Sequence, residues 1–206
     1  MNVIGKALDE AYRAFDIFNK QYYDGKLPQP VITIQNGRQN NLGWFTLGKV
    51  WRNTEQEDIN FYEINITANN LNRPSVNIMG TLLHEMVHYY NKLNNIRDAS
   101  NNVHNKKFKQ EAERVGLIVT KGKPNGWGYT ECGDELKEFI LNEIKPNDDA
   151  FSYFRCVAKG STTPVKPRKK NVFKYVCPSC GLEIKAKLDA HVKCADCDED
   201  MEMEEE

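Results

Sequence analysis

An α+β fold with a small cysteine-bearing module behind it is predicted for this chain by three observations. Apolar residues recur at helical spacing near the N-terminus and again over residues 75–94. Between those helices, short β-rich segments stand at residues 31–34, 44–51 and 59–67, bounded by Gly, Pro and Asn. Four of the six cysteines form two C-x-x-C pairs late in the chain, beyond a stretch of linker composition. Helix, strands, then more helices make a small mixed sheet packed on helices. With 206 residues, 40% of them hydrophobic, the chain can bury one sizeable core and carry one appendage.

The first helix rests on Ile4, Leu8, Ala11, Tyr12, Phe15, Phe18 and Tyr22, with Asn2 as its cap and Gly25 and Pro28 ending it. Alternation in 59–67 slips between Phe61 and Ile64, which marks a bulge. The next helix carries Val76, Met79, Leu82, Leu83, Met86, Val87, Tyr90 and Leu93 on one stripe. Ser75 after Pro74 is its expected cap, and Asn94-Asn95 its stop. A further helix is expected from near His104 through Phe108, Ala112 and Val115 to Gly116, and another over 134–144, with 151–157 returning as a strand. Lone Cys132 and Cys156 are expected as packed, reduced thiols.

Composition then changes. Lys159-Gly160-Ser161-Thr162-Thr163-Pro164 and Pro167-Arg168-Lys169-Lys170 read as a linker. The expected organisation is a main domain over 1–158, a basic linker over 159–171, a cysteine module over 172–199 and a solvated acidic tail over 200–206. Net charge is −1, which excludes no partner class, and no apolar run reaches the roughly 18 residues of a membrane span. Asp9, Glu10, Arg13 and Asp16 interrupt the N-terminal apolar residues, unlike a signal peptide. An intracellular, cytoplasmic protein with no membrane partner is therefore expected, with nucleoid association left open.

Chemistry enters at His84-Glu85-Met86-Val87-His88, an HExxH pattern inside the helical run. Two imidazoles four residues apart rise about 6 Å along a helix and share one face, so both can reach one zinc ion. Glu85 lies beside the first imidazole, where a general base is needed. A catalytic zinc keeps three protein ligands and an open position. His104 is the expected third ligand, with Glu111 the alternative a thermolysin-like site would use; Asn91 and Asn94 occupy the places where metzincins carry Gly and His.

These residues resemble the SprT-like metalloproteases, the group that includes the Spartan proteases. The resemblance spans most of residues 8–158. It rests on Phe18-Asn19 with Gly25-Lys26-Leu27-Pro28, Leu42-Gly43, Ile66-Thr67, His84 to His88, Asn94-Asn95 with Arg97-Asp98, and His104 with Phe108. It implies a zincin-like fold, zinc held by His84, His88 and His104, and Glu85 as general base and acid of peptide hydrolysis. Asn105 stands where the family usually has glycine, and asparagine also tolerates left-handed backbone. The strand near Ile64–Thr67 can pair with an extended substrate, or be an ordinary sheet strand. Tyr129 is a candidate for stabilising the oxyanion, unless Gly126-Trp127-Gly128-Tyr129 is simply a turn.

Cys177, Cys180, Cys194 and Cys197 give a closed, tetrahedral, structural zinc ribbon, with His191 left over. The expected cofactors are thus two Zn2+ ions, one catalytic and one structural. Lys166, Arg168, Lys169, Lys170 and Lys174, interleaved with Phe173 and Tyr175, read either as a solvated linker or as a single-stranded DNA site. The resemblance favours DNA, since Spartan-type enzymes degrade DNA-crosslinked proteins. Three classes follow: a DNA-associated zinc endopeptidase acting on protein or peptide substrates, a zinc peptidase with no DNA requirement, and a nucleic-acid-binding ribbon protein with a non-catalytic scaffold. The intact Glu85 counts against the last.

Overall fold

The computed structural model describes residues 2–37, 41–56, 58–100, 103–123, 126–156, 173–187 and 190–204. The chain divides into two compact units, Met1–Cys156 and Val157–Glu206. Among the described residues, no helix is long and apolar enough to cross a membrane.

In the first unit, helix α1 (Val3–Tyr23) starts as expected, with Asn2 accepting from the Gly5 N–H. Its buried face, including Ala11, Ala14, Phe15 and Phe18, packs into the common core. Asn19 holds Leu27 from both sides, its amide donating to the Leu27 carbonyl and its Oδ1 accepting from the Leu27 N–H. That bond pair closes the Gly25–Pro28 turn and directs the chain into β1 (Val31–Gln35).

The expected strand over 44–51 is two strands, β2 (Gly43–Phe45) and β3 (Trp51–Arg52). The expected slip near Phe61 separates β4 (Asn60–Phe61) from β5 (Glu63–Thr67). The sheet has the order β1-β5-β2, with β5 parallel to β1 and antiparallel to β2. β5 is fully buried and paired on both edges, so it cannot add a substrate strand. Its Glu63 carboxylate accepts the indole N–H groups of Trp44 and Trp51 at 3.3 and 2.7 Å, tying the β3–β4 hairpin to the sheet.

Helix α2 (Ser75–Leu93) lies against this sheet. Its cap is Pro74, not Ser75: the chain is already helical at the serine, which is buried and offers no capping bond. Ile78, Met79, Leu82, Leu83, Met86 and Val87 are fully buried. Asn94 ends the helix, and Asn95 takes a left-handed φ of 57°.

After α2 the chain departs most from the sequence reading. Two short strands, β6 (Ala99–Ser100) and β7 (Val103–His104), precede α3 (Lys106–Arg114). His104 is therefore a strand residue. Asn105 is the cap of α3, extended at φ −103°, its Oδ1 accepting from the Lys107 and Phe108 N–H groups. Its side chain is present for hydrogen bonding, not for left-handed backbone. Then comes a hairpin of β8 (Leu117–Gly122) and β9 (Gly126–Cys132), giving a second sheet of order β6-β7-β9-β8. The Gly126–Tyr129 segment is thus strand, not turn. Gly126 has φ +63°, and a Cβ there would lie 2.5 Å from the His104 carbonyl oxygen. Only glycine lets β9 approach β7 this closely.

Helix α4 (Asp134–Phe139) continues as a π turn over Ile140–Ile144, and a 3-10 turn covers Asp148–Phe151. Residues 152–156 are not the expected strand, although the Arg155 N–H reaches the Ala68 carbonyl; Val157 lies outside the described residues. Cys132 is buried, its thiol 3.7 Å from the Val76 carbonyl, whereas Cys156 is exposed and not packed as expected.

In the second unit, β10 (Phe173–Val176) pairs with β11 (Glu183–Ala186) and β14 (Glu202–Met203), and β12 (Lys193–Cys194) pairs with β13 (Glu199–Asp200). The acidic tail is therefore part of the ribbon as far as Glu204. Met201 and Met203 explain this: Met201 is 8% exposed within the small core and Met203 packs against it. A short polar run with two apolar residues in alternation makes an edge strand once a partner is present.

Candidate metal centres and active site

The HExxH helix places His84 and His88 one turn apart, and β7 brings His104 to them. One ring nitrogen from each lies within 4.8 Å of the others. Nε2 of His88 and Nε2 of His104 are 2.9 Å apart, and a tetrahedral zinc at 2.0–2.1 Å would hold them about 3.3 Å apart. The expected trio is brought together, although its third member comes from a strand and not from a second helix. Glu111 is elsewhere, paired with Arg114.

Phe108, fully buried on α3, is the floor of this cluster. Its ring centroid lies 4.7, 4.7 and 4.4 Å from those of His84, His88 and His104. Nδ1 of His84 meets Thr130 Oγ1 at 2.8 Å, and Nδ1 of His88 meets Asp98 Oδ2 at 2.7 Å. Both contacts leave the opposite nitrogens turned inward. Burial first, then the neighbouring imidazoles, push the pKa of His84 well below its ordinary value, favouring the neutral ring that a metal needs. At Asp98, burial works upward, but hydrogen bonds from His88 and Asn91 outweigh it and hold the carboxyl low.

Glu85 is 5% exposed. Burial pushes its pKa up to about 7, against the pull of His88 and of a hydrogen bond from the Phe45 N–H. A divalent cation at the imidazoles would draw it down again. The carboxylate lies against the backbone of β2: a Cβ on Gly43 would fall 3.1 Å from Glu85 Oε1 and 2.8 Å from the Asn65 carbonyl oxygen. Trp44 pairs with Asn65, so Gly43 and Phe45 direct their backbone groups to the outer edge of β2, toward Glu85. Tyr129 does not join the site. Its hydroxyl donates to the Lys123 carbonyl, and it alternates with Thr130, the residue that faces His84.

Asp98, Phe108, Thr130 and Gly43 were not singled out as site residues from the sequence. Asp98 carried a signal, being an acid between the two histidine-bearing segments. Thr130 carries none, because it follows the Gly126–Tyr129 run, whose glycines suggest a turn and not a strand.

In the ribbon, the four thiols also lie within 4.8 Å of one another. Each C-x-x-C closes a knuckle, with Gly181 N–H on the Cys177 carbonyl and Asp198 N–H on the Cys194 carbonyl, both at 2.9 Å. Gly181 and Asp198 take positive φ at equivalent places after the second cysteine of each pair. Backbone N–H groups, that of Cys180 foremost, hold the Cys177 thiol down at about 7. A closed set of four thiols and a three-imidazole set with a buried carboxylate beside it both fit zinc.

The expected nucleic-acid residues fare differently. Lys166, Arg168, Lys169 and Lys170 lie outside the described residues. Tyr175 is 4% exposed and its hydroxyl is bonded to Lys187 and Ala190, so its ring cannot stack on a base. Phe173 packs on the same core, and Lys174 is paired with both Glu183 and Glu204. The described ribbon residues carry four lysines against seven Asp and Glu.

The model of the SprT-like family matches residues 11–125, more than half of the chain. The chain belongs to the SprT-like family, which points to a metalloprotease-type function. No curated protein and no solved structure matches it.

Proposed function

We propose that this chain is a zinc-dependent endopeptidase with a zincin-like catalytic domain and a structural zinc ribbon. The observation that carries this reading is the convergence of His84, His88 and His104 around one point with Glu85 buried on the same helix. When bound there, zinc supplies a Lewis acid for the scissile carbonyl and a water of lowered pKa. Glu85 accepts the proton and returns it to the leaving amine; its position between a desolvated wall and the Phe45 N–H suits both tasks. An extended polypeptide added to the outer edge of β2 would pass its backbone across Glu85. β2 takes the role that the sequence suggested for β5, because among the described residues β2 alone of the two has an unpaired strand edge.

As substrates we propose DNA-associated or DNA-crosslinked proteins, supported by the family and by the basic run Lys166 to Lys170. The acidic balance of the ribbon and the engagement of Lys174 and Tyr175 favour a second reading, a peptidase with no DNA requirement. One experiment addresses both. Purified chain is assayed on an unfolded protein substrate at low salt, with and without single-stranded DNA, beside Glu85→Gln. Zinc retention with abolished cleavage in Glu85→Gln is expected, and undiminished cleavage refutes the catalytic assignment. Stimulation by DNA supports the first reading, and indifference to DNA selects the second.

A further inference from the structure

We propose that Asp98 is the positioning residue of the three-histidine site, setting one ligand through its carboxylate and another through its backbone. This rests on the zinc reading above. Asp98 lies in the connection from α2 to β6 and is 7% exposed. Its Oδ2 accepts from His88 Nδ1 at 2.7 Å and from Asn91 Nδ2 at 3.0 Å. A carboxylate can only accept, so His88 carries its proton on Nδ1 and presents the Nε2 lone pair inward. His84 has no such constraint, because the hydroxyl of Thr130 can donate or accept.

The backbone of the same residue reaches the strand end that carries the third histidine. The Asp98 carbonyl accepts from the Asn105 N–H at 2.9 Å, directly after His104, while the Asn105 side chain donates to the Arg97 carbonyl. The next residue, Ala99, is the register partner of His104 across β6 and β7. Asn91, one turn beyond His88, anchors the connection by accepting the Ile96 N–H at 2.8 Å. Asp98 thereby couples the α2 pair to the strand-borne histidine, and the distance between Nε2 of His88 and Nε2 of His104 depends on it.

Asp98→Asn and Asp98→Ala are compared with wild type and His88→Ala in the full chain. Zinc affinity is measured by chelator competition, and the histidine site is followed by the d–d spectrum after Co2+ substitution. Asp98→Asn keeps shape and an acceptor for His88, and about a tenfold loss of affinity is expected; Asp98→Ala removes both, and roughly a hundredfold loss is expected. The ribbon zinc should not change in either. Wild-type affinity and spectrum in both variants would overturn the proposal while leaving the three-histidine site intact. Should Asp98→Ala not fold, Asp98→Asn decides alone. A wild-type chain binding one equivalent, unaffected by His88→Ala, overturns the site reading and this inference together.

Discussion

Replacing Phe108 by alanine should damage the protein twice, through packing and through the metal. The side chain is fully buried and its ring contacts all three imidazoles at centroid separations of 4.4–4.7 Å. Phe→Ala in a core costs about 3–5 kcal/mol. For a domain of this size each kcal/mol lowers Tm by roughly 2–4 °C, so a fall of about 6–20 °C is expected. A melt of the full chain in excess chelator reads the packing cost of the main unit. The same melt with zinc adds the loss of ligand linkage, so the gap between wild type and variant should widen. Phe108→Leu, which keeps most of the volume, should lose less in both. A fall smaller than about 2 °C in chelator would refute the role of Phe108 as the floor of the site.

Three other outcomes are expected. Brief alkylation at about pH 8 should modify Cys156 and spare Cys132, whose thiol is buried and pushed up to about 11, leaving about one thiolate in a thousand; equal labelling by mass spectrometry would contradict the packing of Cys132 against α2. Truncation after Asp198 removes β13, β14 and Met201, and should speed zinc loss from the ribbon to a chromophoric chelator, whereas truncation after Glu204 should not. Glu63→Ala strips the acceptor from the Trp44 and Trp51 indoles and should cost on the order of 2 kcal/mol by denaturant titration, with a shift in tryptophan emission; an unchanged midpoint would show that the indoles need no partner.

The sequence alone determined α1, α2 and both candidate metal motifs. Each is local: a 3.6-residue apolar period, a four-residue histidine spacing, two cysteines three positions apart. Such patterns need no knowledge of distant partners. Arg97-Asp98 is visible only as a mark of family resemblance, and Phe108 as that and as an apolar position of the helix expected after His104. Their physical work, holding His88 and flooring the imidazoles, follows from bonds that the chain makes after folding.

Tertiary structure decided everything that depends on pairing. β9 hides behind two glycines because close approach to β7, and not strand propensity, dictates residue 126. The acidic run becomes an edge strand because β10 offers it a ladder and the ribbon core accepts Met201 and Met203. Lys174 and Tyr175 look like nucleic-acid contacts in one dimension, yet folding spends one on two glutamates and the other on the core. Which side chains remain available for chemistry is set by long-range contacts, and those are absent from any local pattern of residues.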